Sequence, residues 1–250
     1  MNLKENGYCY FGKKVHSTWV DKLKSASLEA IEYHSRLQKK INGSVAVDGL
    51  ALNSLVNDDA FVEFVGELFD MGLIEFIEKE FFGSKFILNS FSSLNNVESN
   101  FSFNVHRDIK FYSGEIPIML NSILMLDEFT EENGATKILP GSHKKELKPS
   151  DGHFQDNCVS LTGEVGTIAL FNSNIWHCAA KNNTGKDRLA IAMTFSKSAI
   201  KQLFDYPRAL RLRYNIEDEK LRQLFGYDSR VPASIEEWYG PNRMYKKDQD

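Results

Sequence analysis

The chain has 250 residues, a formal net charge of −4, and 42% hydrophobic and 26% charged residues. A chain of this length can bury about 70 to 75% of the surface that its unfolded form exposes, so we expect a single domain over residues 1–250. The mild excess of acidic residues offers no basic surface to nucleic acid or to an anionic membrane, and we expect neither as a partner.

Cysteine usage and the N-terminus both bear on the compartment. Three cysteines without a Cys-x-x-Cys pair predict neither a disulfide framework nor a structural zinc site. The first residues lack the apolar core of a signal peptide, and no stretch has the roughly 18 apolar residues of a membrane span. We therefore expect a cytoplasmic protein.

The first third of the chain, residues 17–82, is predicted to be helical. Ser17 is a candidate cap for a helix that runs to about Lys40. Asn57-Asp58-Asp59 predicts the start of a second helix, in which phenylalanines recur at helical spacing. A third helix is predicted over residues 73–82. We interpret the phenylalanine stripe as a surface that packs against the main core.

From Gly83 onward, short apolar or alternating runs lie between clusters of Gly, Asn, Asp, Ser and Pro, and this pattern predicts strands. The predicted strands cover residues 85–91, 101–105, 116–126, 136–139, 164–171 and 188–195. Many short strands favour a mainly β fold, such as a sandwich, jelly roll or barrel, over residues 83–196. Residues 197–250 are predicted to form a helical extension, with helices at 198–204 and 217–225.

The strongest chemical signal in the sequence is His106-Arg107-Asp108. In an extended strand, side chains two residues apart point the same way, so His106 and Asp108 share one face while Arg107 points away. A second histidine, His177, would complete a 2-His-1-carboxylate group, which holds Fe(II) and leaves the opposite face of the metal open. The pattern His-x-Asp alone is common by chance, so other residues must support this interpretation.

Arg188 provides such support. Residues 181–187 have the composition of a hairpin loop, which would pair the strand of His177 with the strand that begins at Arg188. If that loop holds an even number of residues, His177 and Arg188 share a face, and the cation lies beside the metal. A guanidinium there is suited to bind a dicarboxylate through two parallel hydrogen bonds.

Four separated elements together resemble a known family. They are His106-Arg107-Asp108, the segment Glu132-Asn133-Gly134-Ala135-Thr136-Lys137-Ile138-Leu139-Pro140-Gly141-Ser142-His143, Trp176-His177, and Arg188 eleven residues after His177. Their order and spacing resemble the phytanoyl-CoA dioxygenase family of Fe(II)- and 2-oxoglutarate-dependent oxygenases over roughly residues 85–196.

The resemblance implies a fold, a set of ligands and a reaction. The fold is a double-stranded β-helix, or cupin-like jelly roll, with N-terminal and C-terminal helices packed around it. Iron would be held by His106, Asp108 and His177, and 2-oxoglutarate by Arg188. With O2, 2-oxoglutarate would be decarboxylated to succinate and CO2, and a C–H bond of a small-molecule metabolite would be hydroxylated. Monomer and homodimer both stay open.

One position departs from the family pattern. Members often carry a small hydroxyl residue two positions after the second histidine, and this chain has Ala179 there. Another donor would then have to help Arg188 to bind the cosubstrate. The candidates are Asn89 and Asn121, on strands predicted to line the cavity, and Tyr112.

Each of these residues also has a structural interpretation. Taken alone, His106 and His177 would more often be hydrogen-bonded core histidines than ligands. His143 is a rival third ligand, but it follows the turn signature Pro140-Gly141-Ser142. Cys178 should point to the opposite face from His177 and behave as a small core residue.

Two rival functions stay open at this point. A cupin-like enzyme could use the same metal ligands without 2-oxoglutarate, although Arg188 argues against it. A non-catalytic binding module on a jelly roll is the alternative of a different class, and the intact ligand set makes it less attractive.

Overall fold

The computed structural model describes residues 3–46, 48–97, 104–211 and 216–239. The α-helices in these ranges are α1 (Leu3–Asn6), α2 (Ser17–Asn42), α3 (Asp59–Asp70), α4 (Leu73–Ile77), α5 (Asp151–Asn157), α6 (Tyr206–Arg211), α7 (Glu219–Leu224) and α8 (Ile235–Tyr239). The strands are β1 (Tyr8–Tyr10), β2 (Leu50–Ala51), β3 (Ile87–Asn95), β4 (Met119–Met125), β5 (Lys137–Ile138), β6 (Val159–Ser160), β7 (Ile168–Asn172), β8 (His177–Cys178) and β9 (Leu189–Ser196).

Two antiparallel sheets form the body of the fold. Among the described residues, the larger sheet has the strand order β1-β7-β4-β9-β3-β2, and the smaller sheet has the order β6-β5-β8. Every named pair is antiparallel, and strands far apart in sequence are neighbours in both sheets. This is the jelly-roll arrangement with flanking helices, so the predicted fold class is confirmed.

The predicted pairing of His177 with Arg188 is wrong. His177 pairs with Ile138 of β5 in the smaller sheet. Arg188 directly precedes β9, which lies between β4 and β3 in the larger sheet. Residues 179–188 therefore cross from one sheet to the other and do not form a hairpin loop.

The N-terminal helices begin close to the predicted positions. The cap of α2 is His16, whose Nδ1 accepts a hydrogen bond from the Thr18 backbone at 3.4 Å, so the predicted cap at Ser17 is wrong by one residue. The start of α3 is confirmed, because Asp58 Oδ1 accepts from the Ala60 backbone at 2.8 Å. The third predicted helix is α4, which continues directly as a π-helix at Glu78–Phe82.

One face of the larger sheet is covered by these helices. Phe61, Phe64 and Leu68 of α3 are fully buried. They belong to the same hydrophobic cluster as Phe91 of β3 and Phe195 of β9. The phenylalanine stripe of α3 therefore packs against the main core, as predicted.

The opposite face of the larger sheet is turned toward the smaller sheet. A second hydrophobic cluster joins Ile123 of β4 and Phe171 of β7 to Ile138 of β5, which lies in the smaller sheet. One row of directly paired residues crosses this face: Tyr8 with Phe171, Phe171 with Asn121, and Asn121 with Thr194. The row brings polar groups into the space between the sheets.

The predicted elements at residues 101–105 and 198–204 have different outcomes. Of the predicted strand at 101–105, residues 101–103 lie outside the described ranges, and Asn104 and Val105 are not in a strand. The predicted helix at 198–204 is wrong, because α6 begins only at Tyr206. Lys197, just before this segment, donates from Nζ to Phe82 O at 2.7 Å, and Gln202 within it donates from Nε2 to Leu88 O at 2.6 Å, so long-range hydrogen bonds support its irregular path.

No helix within the described ranges combines the length and the apolar character needed to cross a bilayer.

Gly134, in the segment that carries the family resemblance, allows a close backbone approach. Its φ is +81°, and an added Cβ would lie 2.5 Å from Ala180 O. Gly43 has a similar φ of +76° at the end of α2, but its Cβ would meet no atom within 4 Å. Alanine substitutions at the two glycines can therefore distinguish the free-energy cost of a left-handed backbone from the cost of a steric clash.

We expect Gly43→Ala to lower the free energy of unfolding by about 1 to 2 kcal/mol, the cost of the left-handed conformation. Gly134→Ala should cost roughly 1 to 3 kcal/mol more, because a backbone oxygen must move to admit the methyl group. Urea unfolding of both variants measures the difference. Equal costs would contradict the close approach at Ala180.

Candidate metal centre

A single backbone bridge brings together the two segments that carry the predicted ligands. His106 and His177 form an isolated antiparallel bridge, with hydrogen bonds of 2.9 Å from His106 N to His177 O and 3.0 Å from His177 N to His106 O. The side chains of Val105, Arg107 and Ile109 are buried, and those of His106 and Asp108 are exposed. The alternation expected of an extended segment is therefore present around His106.

Three ligand atoms converge at this bridge. His106, Asp108 and His177 each offer one atom, and these atoms lie within 4.8 Å of one another. Asp108 Oδ1 is 3.4 Å from His106 Nε2, and Asp108 Oδ2 is 3.5 Å from His177 Nε2. Ligands bound at right angles, about 2.1 Å from a metal, lie roughly 3 Å apart, so a small inward movement would accommodate an ion.

The other ring nitrogens fix the tautomers of both histidines. His106 Nδ1 lies 2.8 Å from Asn104 O, and His177 Nδ1 lies 3.0 Å from Ile175 O. A carbonyl oxygen can only accept, so each Nδ1 must carry the proton and donate it. Each neutral ring therefore presents its Nε2 lone pair to the shared point, as a metal ligand must.

The charges of the three groups are compatible with a bound cation. Partial desolvation opposes ionisation of Asp108, but the two imidazoles and the Asn121 amide outweigh it and hold the pKa of the carboxyl below its usual value. Burial lowers the pKa of His177, which favours the neutral ring. Before a metal binds, the neighbouring carboxylate of Asp108 raises the pKa of His106. The donor set of two imidazoles and one carboxylate suits Fe(II).

Asn121 lies beside the ligand group. Its Nδ2 donates to Asp108 Oδ2 at 2.5 Å, and its Oδ1 accepts from Thr194 Oγ1 at 3.1 Å. The sequence placed Asn121 among the candidate cosubstrate ligands. In the structure its amide donor is engaged by Asp108, which makes it a residue that orients the carboxylate.

Replacing Asn121 with alanine should weaken metal binding by about 10- to 100-fold, the usual effect of losing a group that orients a ligand. Titration of the metal-free protein with Co(II) measures the affinity. Asn89→Ala is a matched control, because Asn89 is a buried asparagine of the same sheet that donates to Ser196 Oγ and Lys201 O. Equal losses in both variants would contradict the role of Asn121.

Arg188 enters the interior from the end of the larger sheet. It is 6% exposed, and its Cζ lies 4.0 Å from the centroid of the Phe129 ring. Phe129 belongs to the same interior cluster as Phe171, whose ring lies edge-on to His177 at 5.1 Å. Arg188 and His177 therefore border one cluster, although they are not paired.

The guanidinium of Arg188 has no acceptor among the described residues, and its Nε is buried without a partner. Burial lowers the pKa of the group to about 10, and the charge of Asp127 opposes this shift. The carboxylate of Asp127 is itself engaged by Lys24 at 2.6 Å and by the Leu189 backbone at 2.7 Å. A buried unpaired cation is costly, so an anionic ligand would supply the missing partner.

Two other candidate cosubstrate ligands are engaged elsewhere. Asn89 donates to Ser196 Oγ at 3.1 Å and to Lys201 O at 3.2 Å, so its amide donors are occupied. Tyr112 donates to Lys144 O at 2.8 Å and stacks on Arg107, on the face opposite to the ligands. The structure does not bring Tyr112 to the triad.

The residues assigned to structure behave accordingly. His143 is buried, its Nε2 lies 3.1 Å from Lys4 O, and it is not part of the ligand group. Cys178 is buried in a cluster with Val105 and Phe154, on the opposite face from His177. Burial raises the pKa of its thiol to about 11. Both interpretations made from the sequence agree with the structure.

Sequence reasoning missed the N-terminal strand. Tyr8 and Tyr10 of β1 alternate with Cys9 and pair with β7, which places Tyr8 directly opposite Phe171. Tyr8 is buried in the interior cluster, and burial raises the pKa of its phenol. The alternation Tyr-Cys-Tyr was the available signal, but a strand of three residues is too short for a periodicity argument.

Comparison with known sequences identifies a family. The sequence model of the family described as phytanoyl-CoA dioxygenase (PhyH) matches residues 3–190. The uncharacterized protein Rv1501 of Mycobacterium tuberculosis is 38% identical over 168 residues, which cover 66% of this chain and 61% of that protein. The iron/alpha-ketoglutarate-dependent dioxygenase penM of Penicillium thymicola is 30% identical over 118 residues, covering 42% of this chain and 37% of penM.

Solved structures share the fold. EctD from S. alaskensis, determined with 2-oxoglutarate and 5-hydroxyectoine, has a TM-score of 0.63 and 18% identity, covering 79% of this chain and 74% of EctD. The same protein with bound Fe has a TM-score of 0.64 and 16% identity, covering 80% of this chain and 76% of that one. At these identities the likeness concerns the fold.

Proposed function

Because the chain belongs to the phytanoyl-CoA dioxygenase family, we propose that it is an Fe(II)- and 2-oxoglutarate-dependent dioxygenase that oxidises a small-molecule substrate. The observation that carries the proposal is an open group of two histidines and a carboxylate together with a buried arginine that lacks an acceptor within the described part of the chain. The dependence on iron and alpha-ketoglutarate in the name of the relative penM supports the same pair of cofactors.

Each residue of the site has a separate proposed role. His106, Asp108 and His177 would hold the iron, and Asn121 would keep the carboxylate of Asp108 oriented. Arg188 would bind the distal carboxylate of 2-oxoglutarate. When bound, Fe(II) and 2-oxoglutarate supply the oxidising chemistry, in which O2 is reduced and 2-oxoglutarate is converted to succinate and CO2. The interior cluster around Phe129 and Phe171 would exclude bulk water from that reaction.

Hydroxylation is the proposed outcome. Asp108 is intact, and its carboxylate would occupy the coordination position that a halide needs. We expect product that carries hydroxyl, and no halogen, at any chloride concentration. Once a substrate is known, mass spectrometry of the product at high chloride tests this expectation, and a halogen isotope pattern would contradict the assignment of Asp108 as a ligand.

The general test needs no prime substrate. The metal-free protein should form succinate slowly from 2-oxoglutarate when Fe(II) and ascorbate are supplied, and omission of Fe(II) should remove this activity. A protein that binds iron but forms no succinate above the protein-free background would favour a cupin-like enzyme that does not use 2-oxoglutarate. A protein that binds no metal would favour a non-catalytic jelly-roll module.

A further inference from the structure

The face of the ligand segment that points away from the metal site carries a buried arginine. Arg107 lies between the ligands His106 and Asp108 and is 8% exposed. The bridge between His106 and His177 is antiparallel, so Arg107, which follows His106, lies opposite Trp176, which precedes His177. The Cζ of Arg107 lies 4.3 Å from the centroid of the Trp176 ring, within the range of a cation–π contact.

Two further contacts hold the guanidinium. Its Cζ lies 5.2 Å from the centroid of the Tyr112 ring, and its Nη2 donates to Lys145 O. A planar guanidinium stacks on aromatic rings in a way that a lysine ammonium does not reproduce. Arg107 therefore has a defined position behind the ligands.

The turn at residues 140–145 organises this region. Ser142 Oγ accepts from the Trp176 backbone at 2.9 Å, and Lys144 O accepts from the Tyr112 hydroxyl at 2.8 Å. With the bond from Arg107 to Lys145 O, one turn contacts both segments that carry ligands. The turn thus connects them from the side opposite to the metal.

The backbone pairing between these two segments is short. Their backbone pairing is the isolated bridge of two hydrogen bonds between His106 and His177. An arrangement of three ligand atoms requires both segments to keep a fixed separation. Contacts between side chains must therefore supply what the short backbone pairing does not.

Stability alone does not account for a charged residue in this position. The Nε of Arg107 is buried without a hydrogen-bond partner among the residues that the structure describes, and burial lowers the pKa of its guanidinium. The desolvation penalty of a buried charge offsets part of what its contacts contribute to stability. The specific geometry of the stack is what an apolar residue would not retain.

We infer that Arg107, stacked on Trp176 and bonded to the turn at residues 140–145, is a positioning residue that sets the separation of the metal ligands. The inference rests on the proposed function only in requiring that His106, Asp108 and His177 bind a metal.

The test compares metal affinity with the stability of the metal-free protein. Arg107→Leu should bind Co(II) about 10- to 100-fold more weakly than the wild type and should alter the visible absorption of the bound Co(II). Its metal-free Tm should change by no more than about 3 °C. The Co(II) affinity of Arg107→Lys should lie between those of the wild type and Arg107→Leu, because lysine keeps the charge but loses the stack.

Arg222 offers a matched control. Its Cζ lies 4.5 Å from the centroid of the Tyr227 ring, and its Nη1 donates to Ile216 O at 3.2 Å. Arg222→Leu therefore removes the same two kinds of contact outside the metal site. It should leave Co(II) affinity and absorption unchanged.

Three outcomes would overturn the inference. Equal Co(II) binding by the wild type and Arg107→Leu overturns the positioning role of Arg107 alone and leaves the proposed function intact. If Arg107→Leu does not fold, Trp176→Leu is tested in its place. Co(II) binding by Trp176→Leu with wild-type affinity would then overturn the positioning role of Arg107. Failure of the wild-type protein to bind Co(II) would contradict both the positioning role of Arg107 and the proposed function.

Discussion

Replacing His177 with alanine is expected to abolish iron-dependent formation of succinate. His177 is the buried member of the ligand group, and its tautomer is fixed by Ile175 O at 3.0 Å. A site that keeps only His106 and Asp108 loses one of three ligands, and the pair on one segment cannot hold the metal in the facial arrangement. The measurement is succinate release with saturating Fe(II) and 2-oxoglutarate.

His143→Ala is the control for this experiment. His143 is another buried histidine, and it was the rival ligand suggested by the sequence, but its Nε2 faces Lys4 O. The folded fraction of this variant should retain iron and activity. Activity in His177→Ala close to that of the wild type would contradict the assignment of His177 as a metal ligand.

Replacing Arg188 with lysine should weaken binding of 2-oxoglutarate by roughly 30- to 150-fold, which corresponds to about 2 to 3 kcal/mol for a lost charge-assisted contact. Lysine keeps the charge but loses the planar pair of donors that matches a carboxylate. Binding of Fe(II) should be unchanged, because Arg188 is not a ligand. Calorimetric titration of the iron-loaded protein with 2-oxoglutarate, without O2, measures the effect.

Arg222→Lys controls for the general effect of an arginine-to-lysine exchange on a residue that contacts a ring. It should bind 2-oxoglutarate with wild-type affinity. An unchanged dissociation constant in Arg188→Lys would remove the role assigned to Arg188, and the buried guanidinium would then need another anion.

Local patterns predicted those features that depend on neighbouring residues. The alternation of His106, Arg107 and Asp108 follows from the geometry of an extended chain, and the same alternation places Cys178 away from the metal side. The start of α3 after Asp58 follows from the capping chemistry of that side chain. None of these features depends on distant parts of the chain.

Features that depend on distant contacts were missed or misjudged. The hairpin predicted between His177 and Arg188 assumed that strands close in sequence pair with each other, but a jelly roll sends them to different sheets. Asn121 was expected to help bind the cosubstrate, yet its amide donates to Asp108, which lies on another segment. The irregular path of residues 198–204 is supported by hydrogen bonds to Leu88 and Phe82, which the local sequence does not reveal.

The proposed function requires that this chain bind Fe(II) and 2-oxoglutarate at one site formed by His106, Asp108, His177 and Arg188. The most direct measurement is visible absorption during titration of the iron-loaded protein with 2-oxoglutarate in the absence of O2. Chelation of Fe(II) by the 2-oxo acid predicts a charge-transfer band that saturates at one equivalent in the wild type and is absent in His177→Ala. A wild-type protein that holds Fe(II) but develops no such band would contradict the account.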